Sequence, residues 1–571
     1  MDCLFGVLQY FYKHHLIYSL YYLRDDTAEI RIRKRPHRTV VMRSGRSDTA
    51  GAGRITGKSH HDPFLREDLK IKHRNKEQEM KILMINPETP ATFWSFRNAL
   101  KFISKKSSEP PLGLLTVAAM LPHDWQVRLI DMNVRPLKNK DIVWADYVFI
   151  TGMNVQRSSF QNVVNRCRTA GVKVVAGGPM MTTEHETFTG IDHLILNEAE
   201  ETLSLFLEDL ENGSAKPIYS SEKFPELHET PLPRWDLLEK KKYASMSVQY
   251  SRGCPFDCEF CSITLLNGRR PRTKKTVQFL EELDSLYRSG WRGPVFIVDD
   301  NFIGHKKQLK TDLLPALIQW SEMRKYPFRF TAEVSMNLAD DETLIQMLVQ
   351  AGFEHVFIGI ETPNTESLAE CGKSQNLNRD MTVSVRQLQK QGLLVSGGFI
   401  VGFDHDPPSI FDRQIQFIKK SGIATAMVGI LNAPTGTKLF QRMKSEKRLL
   451  GVMSGDNMDG STNFIPKMNP EKLNAGYRKI IQTIYSPREY YLRVKSLIRE
   501  IRPFPGKKVR ISWAEVRALF KSMWILGILE KGKQYYWKLF LYSLIKCPEK
   551  FPLTITLIIY GFHFRKIAEE I

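Results

Sequence analysis

From Met80 onward the chain alternates short apolar runs with amphipathic stretches, in two successive series, and this pattern constrains the fold more than any other feature. In the first series Ile82–Ile85, Val127–Ile130, Tyr147–Thr151, Val172–Ala176 and His193–Leu196 read as strands. Stretches of helical period, such as Gly113–Leu121 and Ser159–Ala170, fall between them. Alternation at this spacing predicts a parallel sheet with helices on both faces and a ligand beyond the carboxyl ends of the strands. The second series offers Ser247–Ser251, Val295–Asp299, Phe328–Glu333, His355–Gly359, Val395–Gly402 and Ala426–Leu431 as strands. Six such units predict a partial (βα)6 barrel. The fold class is therefore α/β: a doubly wound domain over 80–213, a proline-punctuated linker over 214–246, and a barrel over 247–433. A mainly helical region follows over 434–571, with Pro470–Ile501 as its clearest helix.

Residues 1–79 do not share this pattern. Arg31–Arg35 and Arg43–Gly57 show no sustained period, and composition shifts at Met80, where "MKILMINPETP" reads as a first buried strand and its exit loop. The expectation is a disordered extension or a mis-assigned start. The apolar stretch Leu4–Leu23 is interrupted by Lys13, His14 and His15, and Phe551–Phe564 falls short of the about 20 apolar residues a bilayer span needs. The net charge of +20 invites a nucleic-acid reading, but residues 1–79 hold +6 of it and residues 501–571 hold +8. The enzyme-sized centre is ordinary, so the basic ends read as solvated surface and no nucleic-acid partner is expected.

Of seven cysteines, three fall within eight residues, in Ser251-Arg-Gly-Cys254-Pro-Phe-Asp-Cys258-Glu-Phe-Cys261, directly after a strand. Cys3, Cys167, Cys371 and Cys547 are scattered and read as ordinary reduced thiols, which suits a reducing cytosol. Thiolates at the clustered spacing suit zinc or an iron–sulfur cluster. A structural zinc site needs a fourth ligand, and neither another cysteine nor a histidine stands nearby in sequence. Three thiolates fit a cluster with one open iron better.

A C-x-x-x-C-x-x-C loop with an aromatic before its last cysteine, after the first barrel strand, resembles the signature of the radical S-adenosylmethionine (SAM) superfamily. The resemblance implies that Cys254, Cys258 and Cys261 hold a [4Fe-4S] cluster whose open iron is chelated by SAM. It also implies reductive cleavage of SAM to a deoxyadenosyl radical that abstracts hydrogen from substrate, with electrons from a reductant protein such as a ferredoxin or flavodoxin. By the same resemblance Phe260 places its backbone near the adenine. Asp299, Asp300 and Asn301 stand where the methionine amino group is met. Glu333 and Glu361 reach the ribose or amino group, and Gly397, Gly398 and Gly402 admit backbone to the adenine. Each acidic residue has a plain structural alternative, as a helix cap or a surface pair.

The first domain resembles, in Pro110-Pro-Leu-Gly-Leu-Leu115, Gly177-Gly178-Pro179 and Leu196-Asn-Glu198-Ala-Glu200, the Rossmann-like cobalamin-binding domain of cobalamin-dependent radical SAM enzymes. Gly177, Gly178 and Glu198 would line the cofactor. The D-x-H-x-x-G motif that supplies a lower cobalt ligand in many cobalamin proteins is absent, and Asn197 replaces a common glycine. A scaffold-only domain or another ligand are the alternatives. Phe93-Trp-Ser-Phe96, Pro231–Leu238, Val298–Phe302, Gly398–Asp404 and Gly561–Phe564 resemble hopanoid A-ring methylases and their uncharacterised neighbours. Cobalamin-dependent methyl transfer to an unactivated carbon of a small or lipid-like substrate is the implied function. Radical cyclisation or rearrangement is the alternative, with a non-catalytic iron–sulfur or cobalamin sensor a third reading. The implied location is cytoplasmic. Trp524, Tyr535, Tyr536, Trp537, Phe540 and Tyr542, interspersed with lysines, read either as peripheral membrane contact or as a core that packs a helical cap onto the barrel.

Overall fold

The computed structural model describes residues 79–456, 458–502 and 513–571. The expected extension and the apolar stretch Leu4–Leu23 lie outside them, Glu79 excepted.

Six strands form the first sheet: β1 (Lys81–Asn86), β2 (Gln126–Asp131), β3 (Tyr147–Thr151), β4 (Lys173–Gly177), β5 (His193–Ile195) and β6 (Ile218–Tyr219). All pairs are parallel, in the order β2-β1-β3-β4-β5-β6. Successive side chains enter opposite cores. Leu83, Ile85, Val148 and Ile150 pack with Val163 and Val164 of one covering helix, while Ile82, Met84 and Phe149 pack with Leu114, Ala118 and Phe206 on the other face. Burial on both faces explains why these strands read as unbroken apolar runs. The strand order reverses between β1 and β3, so the crevice for a ligand opens at their carboxyl ends.

The linker is more than a tether. It contributes β6, buries Trp235 and Tyr243, and the Tyr243 hydroxyl donates to Asp131 Oδ2 at 2.9 Å. That bond ties the chain entering the barrel to the switch-point edge of the first sheet.

The second sheet contains β7 (Met246–Val248), β8 (Gly293–Ile297), β9 (Phe328–Val334), β10 (Phe353–Glu361), β11 (Leu394–Val401) and β12 (Ala426–Ile430), all parallel and in sequence order. The edges β7 and β12 do not pair, so the barrel is open. Its helices form on apolar stripes. Thr276–Arg288 buries Phe279, Leu283 and Leu286, and Glu342–Ala351 is capped by Asp341 and stopped by Gly352 at φ +109°. The first strand is shorter than expected: β7 ends at Val248, and Ser251 pairs instead with Thr273 in a two-stranded hairpin.

Beyond the barrel, Pro470–Ile501 is two helices, Pro470–Ile484 and Pro487–Glu500. Pro487 forces Ser486 into an extended conformation (ψ 143°), which breaks the run. Tyr485, at the break, accepts from Ala426 N and donates to Ala426 O, so the kink is anchored on β12. Helices Trp513–Trp524, Lys533–Lys546 and Phe551–Glu570 complete the region. The last returns to residues 93–96, where Phe564 meets Phe93 at 5.5 Å and Phe96 at 5.8 Å between ring centroids. Among the described residues no helix is long and apolar enough to cross a membrane.

Candidate active site

The cysteines lie on the loop inside the Ser251–Arg252/Arg272–Thr273 hairpin. Its base is held from the carboxyl end of β8. Asp299 accepts from Tyr250 N and Ser251 N, each at 2.7 Å, and from Ser251 Oγ at 2.5 Å. Asp300 Oδ2 accepts from Gly253 N at 2.7 Å and Asn267 Nδ2 at 2.9 Å. Gly253, at φ +94°, has carbonyl oxygens where a Cβ would stand. Asp299 was expected to meet a cofactor; in this structure its carboxylate is turned to the loop. It is buried, both of its oxygens are engaged by the loop, and burial pushes its carboxyl up to about 7. Asn301 remains at the site: its Nδ2 donates to Ser335 Oγ at 3.2 Å and lies 3.9 Å from Cys254 Sγ.

Cys258 is buried, and Cys254 and Cys261 are partly exposed. Burial raises all three thiols, Cys261 up to about 12; Cys258 adds to the shift of Cys254, and both add to that of Cys261. A metal loaded here displaces their protons. Among the described residues no three His, Cys, Asp or Glu side chains converge on a point one ion would fill. A cluster makes no such demand, because each thiolate binds its own iron. Three neighbouring soft donors at the mouth of the barrel fit it. The fold also brings Cys371 close: its carbonyl accepts from Glu259 N at 2.9 Å, but its thiol is buried and turned to Leu368 O.

Glu361 ends β10 at φ +64° and accepts from Lys373 Nζ at 2.6 Å. A Cβ on Gly359 would stand 2.7 Å from that Nζ, so the glycine makes room for the ion pair. Burial opposes the Lys373 charge, yet the Glu361 carboxylate and the nearby thiols raise its pKa overall. Lys373 Nζ also lies 5.9 Å from the Phe260 ring centroid, and that ring packs on Phe403 at 6.3 Å. Glu333, from β9, is crowded by its neighbours but keeps some accessible surface. Burial pushes it up to about 7, with Asp300 and Glu109 adding to the shift. On β11, a Cβ at Gly397 would lie 2.8 Å from the Phe399 ring, and one at Gly398 would lie 3.1 Å from Phe357. Gly402, at φ +102°, donates its N–H to Asp406 Oδ2 at 2.8 Å.

At the edge of the first sheet, a Cβ on Gly177 would lie 2.7 Å from Ile195 O. Gly178 has φ +90°, and a Cβ there would lie 2.2 Å from Thr151 Oγ1. Asn197 takes φ +63°, the left-handed conformation that asparagine tolerates better than most residues. Glu198, expected to line the cofactor, is likewise engaged by the protein. Its carboxylate is buried and accepts from Arg252 Nη1 and from both Arg272 Nη atoms, so its contacts run to the cysteine hairpin. Glu200 joins it, accepting from Arg252 Nη1 at 3.0 Å and Nη2 at 2.8 Å. Sequence reading missed Arg252, Arg272, Lys373 and Glu109. Arg252 had one signal, its place two residues before Cys254, and Lys373 had none.

Comparison with known proteins agrees with this layout. Residues 102–207 match the B12 binding domain, 248–418 the radical SAM superfamily, and 437–571 a domain of unknown function, DUF4070. An uncharacterized methyltransferase of Synechocystis is 40% identical across 86% of this chain and 92% of its own length. The hopanoid C-2 methylase of Rhodopseudomonas palustris is 30% identical across 83% and 92%. The radical SAM methyltransferase TsrM of Kitasatospora setae, solved with cobalamin and a [4Fe-4S] cluster, shares the fold: TM-score 0.54 at 14% identity, covering 86% of this chain and 100% of that one. The chain thus belongs to the cobalamin-dependent radical SAM methyltransferase family, whose cofactors are a [4Fe-4S] cluster, SAM and cobalamin.

Proposed function

We propose that this enzyme methylates an unactivated carbon of a lipid-like substrate, taking electrons from a ferredoxin or flavodoxin. The observation that carries the reading is the seam at Glu198, where the ligand edge of the first sheet is tied directly to the cysteine hairpin. Two cofactor sites joined in this way can act on one substrate between them. When bound, the cluster with SAM supplies hydrogen abstraction and cobalamin supplies the methyl group.

In this reading Cys254, Cys258 and Cys261 are the cluster ligands. Glu333, Glu361, Asn301, Phe260, Gly397, Gly398 and Gly402 form the SAM face, with Asp300 shaping the loop beside it. Gly177 and Gly178 let backbone approach the corrin, while Asp299 and Glu198 are positioning residues. The hopanoid C-2 methylase relative makes polycyclic lipids the first substrates to try. A cytoplasmic enzyme peripheral to the membrane, touching it through residues 501–571, suits such substrates.

Anaerobic reconstitution with iron, sulfide and hydroxocobalamin, followed by SAM and a strong reductant, tests the reading. Deoxyadenosine, retained corrinoid and a product heavier by one methyl group are the expected result. Product of unchanged carbon count would point to cyclisation or rearrangement, and corrinoid loss would remove cobalamin from the mechanism.

A further inference from the structure

The C-terminal helices bury one side and leave another without a partner among the described residues. Helix Trp513–Trp524 continues through a π turn, Ile525–Leu529, and is followed by Lys533–Lys546. Ala518, Ser522 and Leu526 face inward. Trp513, Phe520 and Trp524 are 81%, 53% and 61% exposed, and Ile528 and Leu529 are exposed beyond them. Positions 513, 517, 520, 524 and 528 fall on one helical stripe. On the following helix Leu541 and Ile545 are also exposed, beside Lys538 and Lys546.

Basic residues dominate the charge around this stripe. Arg517, Lys531, Lys533, Lys538 and Lys546 are exposed. The nearby acids are drawn to cations elsewhere: Glu530 pairs with Arg565 at 2.9 Å and Lys566 at 3.3 Å, and Glu515 lies 3.7 Å from Arg329. A second copy of this chain pressed on the same face would set lysine against lysine. Tryptophan and phenylalanine ringed by basic residues match a different occupant, the headgroup layer of an anionic bilayer.

We propose that the stripe Trp513–Arg517–Phe520–Trp524–Ile528, with Leu541 and Ile545, seats the enzyme on an anionic phospholipid surface. The inference rests on the peripheral-membrane part of the reading above and is independent of methyl transfer. Its placement relative to the barrel is useful for a lipid enzyme. Lys521, on the same helix, donates to Lys101 O and Ser104 Oγ and so fixes the helix to the Arg97–Ile103 segment. Just before that segment, half-exposed Trp94 packs on Phe357 of β10 at 5.0 Å. The docking face therefore adjoins the elements that lead to the barrel wall.

Flotation of the full-length holoenzyme with vesicles of phosphatidylglycerol and phosphatidylcholine, or phosphatidylcholine alone, tests this. Wild type is expected to partition to the anionic vesicles about tenfold more strongly, with the preference shrinking in high salt. Trp513→Ala, Phe520→Ala and Trp524→Ala combined should cut that binding about tenfold or more, with cluster absorbance and deoxyadenosine formation intact. Absence of wild-type binding to either vesicle, or equal binding by the triple variant, overturns the proposal. A wild-type dimer in light scattering that the triple variant loses, without vesicle binding, assigns the face to a second copy and also overturns it. Vesicle binding without any methylated product would leave this inference standing and remove the proposed function instead.

Discussion

Glu198, on the loop leaving β5, and Arg252, two residues before the first cysteine, form a buried ion pair between the two cofactor-binding folds. Arg252 is shared with Glu200, and Glu198 with Arg272, so four charged groups balance two and two at the seam. Guanidinium forks suit this arrangement because each presents several donors in one plane. The separation between the edge of the first sheet and the cysteine loop thus depends on a few charge-assisted hydrogen bonds.

Removing one member should be costly. Arg252→Ala leaves two buried carboxylates with only Arg272, which on general grounds costs about 3–5 kcal/mol. The expected outcome is a clear fall in Tm together with weaker retention of corrinoid. Arg252→Lys should recover only part of both, since an ammonium cannot serve Glu198 and Glu200 in the same geometry. A Tm unchanged in Arg252→Ala would show that the seam is held by something else.

The ligand set predicts a sharp contrast among neighbouring thiols. Cys254→Ala, Cys258→Ala and Cys261→Ala should each lose the visible absorbance of the cluster and all deoxyadenosine formation. Cys371→Ala should keep both, because that thiol is turned to Leu368 O in an apolar cluster with Phe403 and Leu431. Iron and sulfide analysis after anaerobic reconstitution separates the two behaviours. Cluster loss in Cys371→Ala would mean that the fourth thiol belongs to the site.

What the sequence revealed and what it hid divide along physical lines. Parallel strands buried on both faces must be apolar throughout, so β1, β3 and β12 could be read within about a residue of their ends. Cys254, Cys258 and Cys261 were legible because their spacing is local. Asp299 shows the limit. A carboxylate at a strand end is visible in sequence, but whether its oxygens face a cofactor or turn back to Tyr250 and Ser251 depends on the path of another loop. The arginine partners of Glu198 were hidden for the same reason. The Lys373–Glu361 pair was invisible because it depends on how the chain after β10 folds back over Gly359.

Gly178 offers a test of the first-domain edge. Its φ of +90° strains any L-residue, and a Cβ would meet Thr151 Oγ1 at 2.2 Å. Gly178→Ala should therefore lose about 1–3 kcal/mol from backbone strain alone, with further loss from the contact. Adding Thr151→Ala removes the contact and leaves the strain, so Tm should recover only partly. Corrinoid retention should follow the same order, wild type first and Gly178→Ala last. Full recovery in the double variant would assign the whole effect to the hydroxyl.

Two carboxyls raised by burial, Glu109 before the first-domain helix Leu112–Met120 and Glu333 on β9, predict a pH signature. Burial pushes each up to about 7, whereas an unfolded glutamate titrates near about 4.3. Between those values the folded protein holds a proton that the unfolded chain has released. Stability from this source is complete below about pH 4 and is lost as pH rises through about 7. Glu333→Gln is neutral at every pH and should match wild type in acid. Its Tm should then rise above wild type as pH climbs from about 4, with the gap levelling off beyond about pH 7. Glu109→Gln should do the same, and the double variant should gain less than the sum, because removing Glu109 already relieves part of the shift on Glu333. Thermal melts of the four proteins across this range check it. A gap that shrinks with rising pH would mean that Glu333 is ionised and paired in the folded state.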